Sequence, residues 1–174
     1  MNRIINKANE ESRKLTKEAI GLALFQLLKE NDLNNIKIVE LVKKAGVSRS
    51  AFYRNYKSLE DVLKDFIKTN IDELIKLFSY KLSDNWLIIV KYVKKNQDYF
   101  ITLYNSGYFH LLLNHFNSSI DKNNYYMLGW NGFVHNILYN WIGNGLKESP
   151  EEMYEIILEC TKKMAIVINN DYID

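Results

Sequence analysis

The chain has 174 residues, 47% hydrophobic, 25% charged and 13% aromatic, enough for one large domain or two small ones with a real core. Its net charge of +2 hides an asymmetry: residues 1–68 hold 14 Lys/Arg against 9 Asp/Glu and residues 69–174 hold 9 against 12, so the first part is suited to meet a polyanion. A lone Cys160, no apolar run near the ~18 residues of a membrane span, and no signal-peptide core at the N-terminus exclude a disulfide scaffold, a membrane helix and a secreted product, and predict a cytoplasmic protein.

With one Pro, few Gly and no strand-like alternation, the expected fold is all-α. Residues 1–14 are polar and mixed in charge and read as an arm leading into a helix capped by Ser12 or Thr16. That helix carries Ala19, Leu22, Ala23 and Leu27 at helical spacing and breaks at "DLNNI". "IKIVELVKKAG" follows, with Ile38, Leu41 and Val42 inward and Lys43 and Lys44 outward. Gly46 sits where a helix end favours a left-handed residue, and Ser48 caps a new helix. Two short helices around so tight a turn have helix-turn-helix geometry.

Ser58 to Asp61 form a capping box that opens a long helix, predicted over 59–82, with a domain boundary near 67–70. The expected division is 1–68 and 69–174. Asp84 starts the next helix, and two ring-rich helices follow, split at Gly107. A longer one presents Tyr126, Trp130, Phe133, Val134, Ile137 and Trp141 as a broad apolar face. Ser149-Pro150-Glu151-Glu152 opens a last helix with Met153, Ile156, Ile157, Cys160, Met164 and Ile168 on one side. About nine helices are expected in all.

A helix that reads the major groove packs one face on its own domain and offers donors on the other. "SRSAFYRNY" divides that way. Phe52 and Tyr56 are four apart and anchor inward; Arg49 with Tyr53, and Ser50 with Arg54, share the opposite side. Arginine reads guanine through a bidentate pair, tyrosine donates to phosphate, and Lys37, Lys57 and the Ser48 amide region are placed to complete a backbone clamp.

On these residues the stretch from Thr16 to Leu63, above all "IVELVKKAGVSRSAFYRNYKSLEDVL", resembles the DNA-binding domain of the TetR family of bacterial transcription regulators. "GWNGFVHNILYNWIGNGLKESPEEM" resembles the C-terminal part of one subgroup of that family. The resemblance implies a helix-turn-helix domain joined by a long fourth helix to a helical regulatory and dimerisation domain. It implies a homodimer on near-palindromic double-stranded DNA, a repressor released by a small-molecule effector or, alternatively, a co-regulator that binds a protein partner. Carried onto this chain, the base readers are Arg49, Ser50 and Arg54, and the phosphate contacts are Lys37, Tyr53, Asn55 and Lys57. Two positions depart from the family pattern. Lys37 stands where Thr is usual, and Leu59 where a phosphate-contacting Lys is usual.

The ring-rich middle, with Trp86, Tyr104, Phe109, Phe116 and Trp130, either lines an apolar ligand pocket or fills an ordinary core. His110, Asn136 and Tyr139 are its candidate polar groups. The last two helices carry more apolar surface than a monomer hides, and Gly129 and Gly132 permit close helix approach. Phe133, Ile137, Trp141, Met153, Ile157, Cys160 and Met164 are therefore expected at a subunit interface. His110 and His115 are five apart, off the spacing of a shared ligand face, and no Ser-His-Asp, Cys-His or phosphate-loop pattern occurs. No metal, cofactor or catalytic residue is expected.

Overall fold

The computed structural model describes the backbone of residues 2–80, 82–118 and 120–170, and the side chains of residues 9–80, 84–118 and 120–163. Among the described residues the fold is all-helical, with nine α-helices, one short 3-10 turn and no strand.

Helix α1 (Asn2–Leu28) is much longer than the sequence suggested. The stretch before Thr16 contains no Gly or Pro and is rich in Lys, Glu and Arg, so nothing halts the helix there. The Thr16 hydroxyl donates to the Ser12 carbonyl at 2.8 Å, a bond of helix interiors; neither residue caps α1. A 3-10 turn (Leu33–Asn35) then buries Leu33 and leads to α2 (Ile38–Lys44).

Gly46 terminates α2 with φ +67. Its amide reaches Lys43 and that of Val47 reaches Val42, at 3.2 and 3.0 Å. These are the paired bonds of a Schellman turn, which satisfies carbonyls that the helix end would leave unmet. Helix α3 (Arg49–Asn55) starts at once, capped by Ser48. Helix α4 (Leu59–Ile75) opens with the expected capping box, Ser58 and Asp61 bonding each other's backbone amides.

Helix α4 ends one turn and more before the predicted Leu82. The Asn85 amide side chain holds the backbone of Ser79 from both sides, accepting from its N–H at 2.7 Å and donating to its carbonyl at 3.1 Å. That clip bends the chain into α5 (Leu82–Lys95). Helices α6 (Gln97–Asn105), α7 (His110–Ser118), α8 (Tyr125–Gly143) and α9 (Pro150–Asn170) complete the body. Ser149 and Glu152 form the box that starts α9. Helix α9 packs on α5, α8 on α6 and α7, and α7 on α4.

Helices α1 to α4 share a core of Ile20, Leu24, Leu41, Phe52 and Leu63. Helix α1 also reaches the body. Phe25 stacks on Tyr99 of α6 at 4.8 Å and meets Phe66 of α4 at 4.8 Å. The Phe66 ring lies directly over Gly21, where any Cβ would overlap it. Gly21→Ala is therefore expected to lower stability by about 1–3 kcal/mol, measured by urea unfolding. Gly129→Ala, on α8 with nothing within 4 Å of an added Cβ, should not lower it at protein concentrations too dilute for association.

Candidate nucleic-acid interface

Helix α3 is only seven residues long, too short to hold itself. Its order comes from its attachments. The Ser48 hydroxyl accepts from the Ala51 amide at 3.1 Å and pairs with the Ser50 hydroxyl at 2.9 Å. Phe52 is fully buried, and the Tyr53 ring stands edge-on against it at 5.3 Å. Arg49, Ser50, Tyr53 and Arg54 point outward, with Tyr53 54% exposed. Lys37, at the N-cap of α2, and Lys57, after α3, are also exposed. The structure thus assembles the predicted outward set of cations and hydroxyls on one packed helix and its two flanks.

Asn55 also has partners inside the fold. Its Nδ2 donates to the Ala51 carbonyl at 2.8 Å, and its Oδ1 accepts from the Arg13 Nε at 3.1 Å. Asn55 is thus a bracket that keeps one Nδ2–H beyond these two bonds. What it brackets is a further cation, Arg13 of α1, beside the end of α3. The helical phase running unbroken back from Thr16 was the signal for it; reading 1–14 as an arm concealed it. Leu59, at the start of α4, is half-buried and packs on the core.

Tyr56 closes α3 on a polar network. Its hydroxyl donates to Asp65 Oδ2 at 2.7 Å, and Lys17 of α1 reaches the same oxygen at 2.9 Å. The Lys17 ammonium also lies 5.4 Å from the Tyr56 ring centre. Burial pushes the Asp65 carboxyl up, but the bonds from Lys17 and Tyr56 outweigh it and hold the group below its ordinary value. Burial first, and the charge of Asp65 with it, drive the Tyr56 phenol far above its ordinary value. One carboxylate thereby ties α1, α3 and α4 together and sets the angle of the outward face.

Away from this face the body holds a partly open cavity of about 340 Å³. Ile71, Leu74 and Ile75 of α4 form one wall, Trp86 and Ile89 of α5 another, and Trp130, Asn131, Val134 and His135 of α8 a third. Phe100, Phe109, Leu112 and Phe116 close it. The Trp86 and Trp130 rings meet edge to face at 5.3 Å.

Solved structures resemble most of the chain. A TetR transcriptional regulator from Streptococcus agalactiae 2603V superposes with a TM-score of 0.67 over 89% of this chain and 98% of its own, at 22% identity. The dihydroxyacetone kinase operon activator DhaS gives 0.61 over 87% and 97%, at 18% identity. The chain has a TetR-type fold. No family model and no curated protein matches the sequence.

Within this TetR-type fold the predicted pocket residues divide. Trp86 and Trp130 line the cavity, with Phe109 and Phe116; Tyr104, His110, Asn136 and Tyr139 do not. The Tyr104 and Tyr139 rings pack on each other at 4.7 Å, and His110 Nδ1 bonds the Gly107 carbonyl at 3.0 Å. The polar residues among its lining are Asn85, Asn131 and His135. Asn131 and His135 are one helical turn apart on the face of Trp130 and Val134, a phase that was readable; Asn136 was one residue off it.

The predicted interface residues divide as well. Trp141, Met153 and Ile157 are core residues of the single chain and leave a partner no surface to cover. Phe133, Ile137 and Cys160 are half-buried, and the Met164 side chain lies outside the described residues. Among the described residues no cluster of His, Cys, Asp and Glu is arranged to hold a metal, and no helix is long and apolar enough to cross a membrane.

The Asp65 network has a definite pH sign. A carboxyl held below its unfolded value of about 3.9 contributes stability that is complete above that pH and is lost as pH falls through the folded value. Asp65→Asn should lower the urea midpoint at pH 7, with the gap to the parent shrinking below about pH 4. Tyr56→Phe should cost about 1 kcal/mol at pH 7, since Lys17 still serves the carboxylate.

Proposed function

We propose that this chain is a sequence-specific DNA-binding transcription regulator, a homodimeric repressor that leaves its operator when a small molecule occupies the body. The observation that carries the reading is the outward face of α3, where Arg49, Ser50, Tyr53 and Arg54 are exposed over a fully buried Phe52. Arg49 and Arg54 read base edges, Ser50 assists, and Lys37, Tyr53, Lys57 and Arg13 meet phosphates, with Ser48 holding the helix start. Two such helices lie about 34 Å apart in successive major grooves of a near-palindromic site. The reading unit is residues 1–68 and the effector and dimerisation unit residues 69–174. The site of action is the cytoplasm, and no enzymatic step or cofactor is involved.

Dimerisation falls to α8 and α9. Their inward residues fill the subunit core, while Phe133, Ile137, Tyr139, Ile156 and Cys160 keep surface outward. Gly129 and Gly132 have open space where a Cβ would be, which supports close approach of a second α8.

The effector acts through α4, which supplies Ile71, Leu74 and Ile75 to the cavity and Phe66 to the contact with α1. A ligand that fits the cavity better when α4 is shifted weakens DNA binding by that difference in affinity, on the order of 1–3 kcal/mol. The second reading places a protein partner on the body. In its favour, Leu77 and Tyr80 stand exposed next to the cavity residue Phe78, and one similar structure is named an operon activator. The presence of a cavity favours the small molecule.

Gel shifts on the DNA upstream of the chain's own operon test the reading face. Arg49→Ala should lose about 1–3 kcal/mol of discrimination between operator and scrambled DNA. Lys57→Ala should weaken both alike and reduce the slope of log affinity against log salt by about 1. Unchanged operator preference in Arg49→Ala would show that the face is wrongly assigned.

A further inference from the structure

The lining of the body cavity sets what it can take, on the reading that it is the effector site. Helices α4 to α8 all contribute to it. Rings such as Trp86, Phe109 and Trp130 and aliphatic chains such as Ile89, Leu113 and Val134 form its walls. Among the described residues that line it there is no Lys, Arg, Asp or Glu. At about 340 Å³ the space lies at the small end of the ~300–1,000 Å³ usual for ligand sites.

An ion seated there would need a countercharge, and the three polar lining residues supply none. Asn85 and Asn131 are amides and carry no charge. Asn85 holds both backbone groups of Ser79, and Asn131 Nδ2 donates to Asn117 Oδ1 at 3.0 Å. His135 Nε2 has less than 1 Å² of surface, so it is sealed from the space and meets no ligand. Burial, the largest influence on that ring, lowers its basicity and keeps it neutral at pH 7. An amide stabilises a neutral polar group through a hydrogen bond. It does not offset the hydration that a buried ion loses, which costs far more.

We infer that the cavity binds an uncharged, mainly apolar molecule of fused-ring size, seated among Trp86, Phe109, Trp130 and Val134, and selects it over organic anions and cations of the same shape. Affinity comes from apolar surface buried on both sides. Selectivity comes from the absence of any group in the wall that could meet a charge. The Trp86 and Trp130 rings, edge to face at 5.3 Å, present both ring edges and ring faces, which suits an aromatic guest.

The test follows N-phenyl-1-naphthylamine, a neutral dye that brightens on leaving water, on the full chain at pH 7. Three size-matched naphthalenes then compete with it: neutral 2-ethylnaphthalene, anionic 2-naphthoate and cationic 2-(aminomethyl)naphthalene. The expected result is 2-ethylnaphthalene displacing the dye about tenfold or more tighter than either ion. Val134→Trp and Ile89→Trp put a ring into the space from different walls, and each should weaken the dye about tenfold or more. Leu77→Ser changes an exposed apolar side chain outside the lining and should leave dye affinity within about twofold. Thermal melts show which variants are folded, and the competition on the parent chain stands without them. Equal displacement by all three naphthalenes, tightest displacement by an ion, or no binding of the dye or of 2-ethylnaphthalene overturns the assignment. So does dye affinity that folded cavity-filling variants leave unmoved, or that Leu77→Ser abolishes. A gel shift with saturating 2-ethylnaphthalene separates the two claims. If it binds in the cavity but operator affinity is unchanged, the ligand chemistry stands and effector release falls.

Discussion

Helix α4 must belong to two cores at once, and most of the structure follows from that demand. Its first turns give Val62 and Leu63 to the core under the reading helix and hold Asp65 beside Tyr56 and Lys17. Its last turns give Ile71 and Leu74 to the cavity wall. Between them Phe66 presses on Gly21 and Phe25, and Asn70 accepts the Tyr92 hydroxyl at 3.0 Å. Asp72 then meets His115 of α7 at 3.2 Å. A rigid element fastened at so many points cannot shift at one end without moving contacts at the other. That physical property links the body cavity to the outward face of α3.

The two halves of α4 are fastened by different kinds of force. Around α3 the bonds are directional: a serine cap, a Schellman turn, a capping box and a carboxylate shared by a lysine and a phenol. Directional bonds fix angle, and reading base edges needs angle held closely. The cavity wall itself is ring and aliphatic packing, which is not directional, with the Asn70 and Asp72 bonds beside it.

Much of this was legible because it is local. Gly46, Ser48, Ser58 with Asp61, and Ser149 with Glu152 each act within a few residues, so the turn, the caps and the order of the helices could be read from spacing alone. What escaped was set by distant partners. The end of α4 depends on Asn85 folding back onto Ser79, and the role of Asn55 on Arg13, 42 residues away. Trp141, Met153 and Ile157 form a convincing apolar stripe, but a stripe does not say whether its own chain or a second one covers it; here α5 lies against α9 and the core takes them. Helix α8 is apolar around most of its circumference, so its phase toward the cavity was ambiguous by one residue, and His135 was passed over for Asn136.

The seam between α1, α4 and α6 is built differently from the surroundings of α3. Phe25, Phe66 and Tyr99 make a three-ring contact, with centres 4.8 to 6.1 Å apart. The Tyr99 hydroxyl is buried there without a hydrogen-bond partner among the described residues, and burial pushes its pKa far above the ordinary phenol value. Across the α1–α6 side of the seam, the ion pair from Lys29 to Asp98 at 3.3 Å is exposed and weak. A seam made of rings and one loose ion pair resists separation through buried area but offers little resistance to sliding. The Asp65 network, bonded from two sides, resists both. Under the proposed function, motion at the cavity would be carried into the position of α1 to α4 together, with the geometry around Asp65 kept.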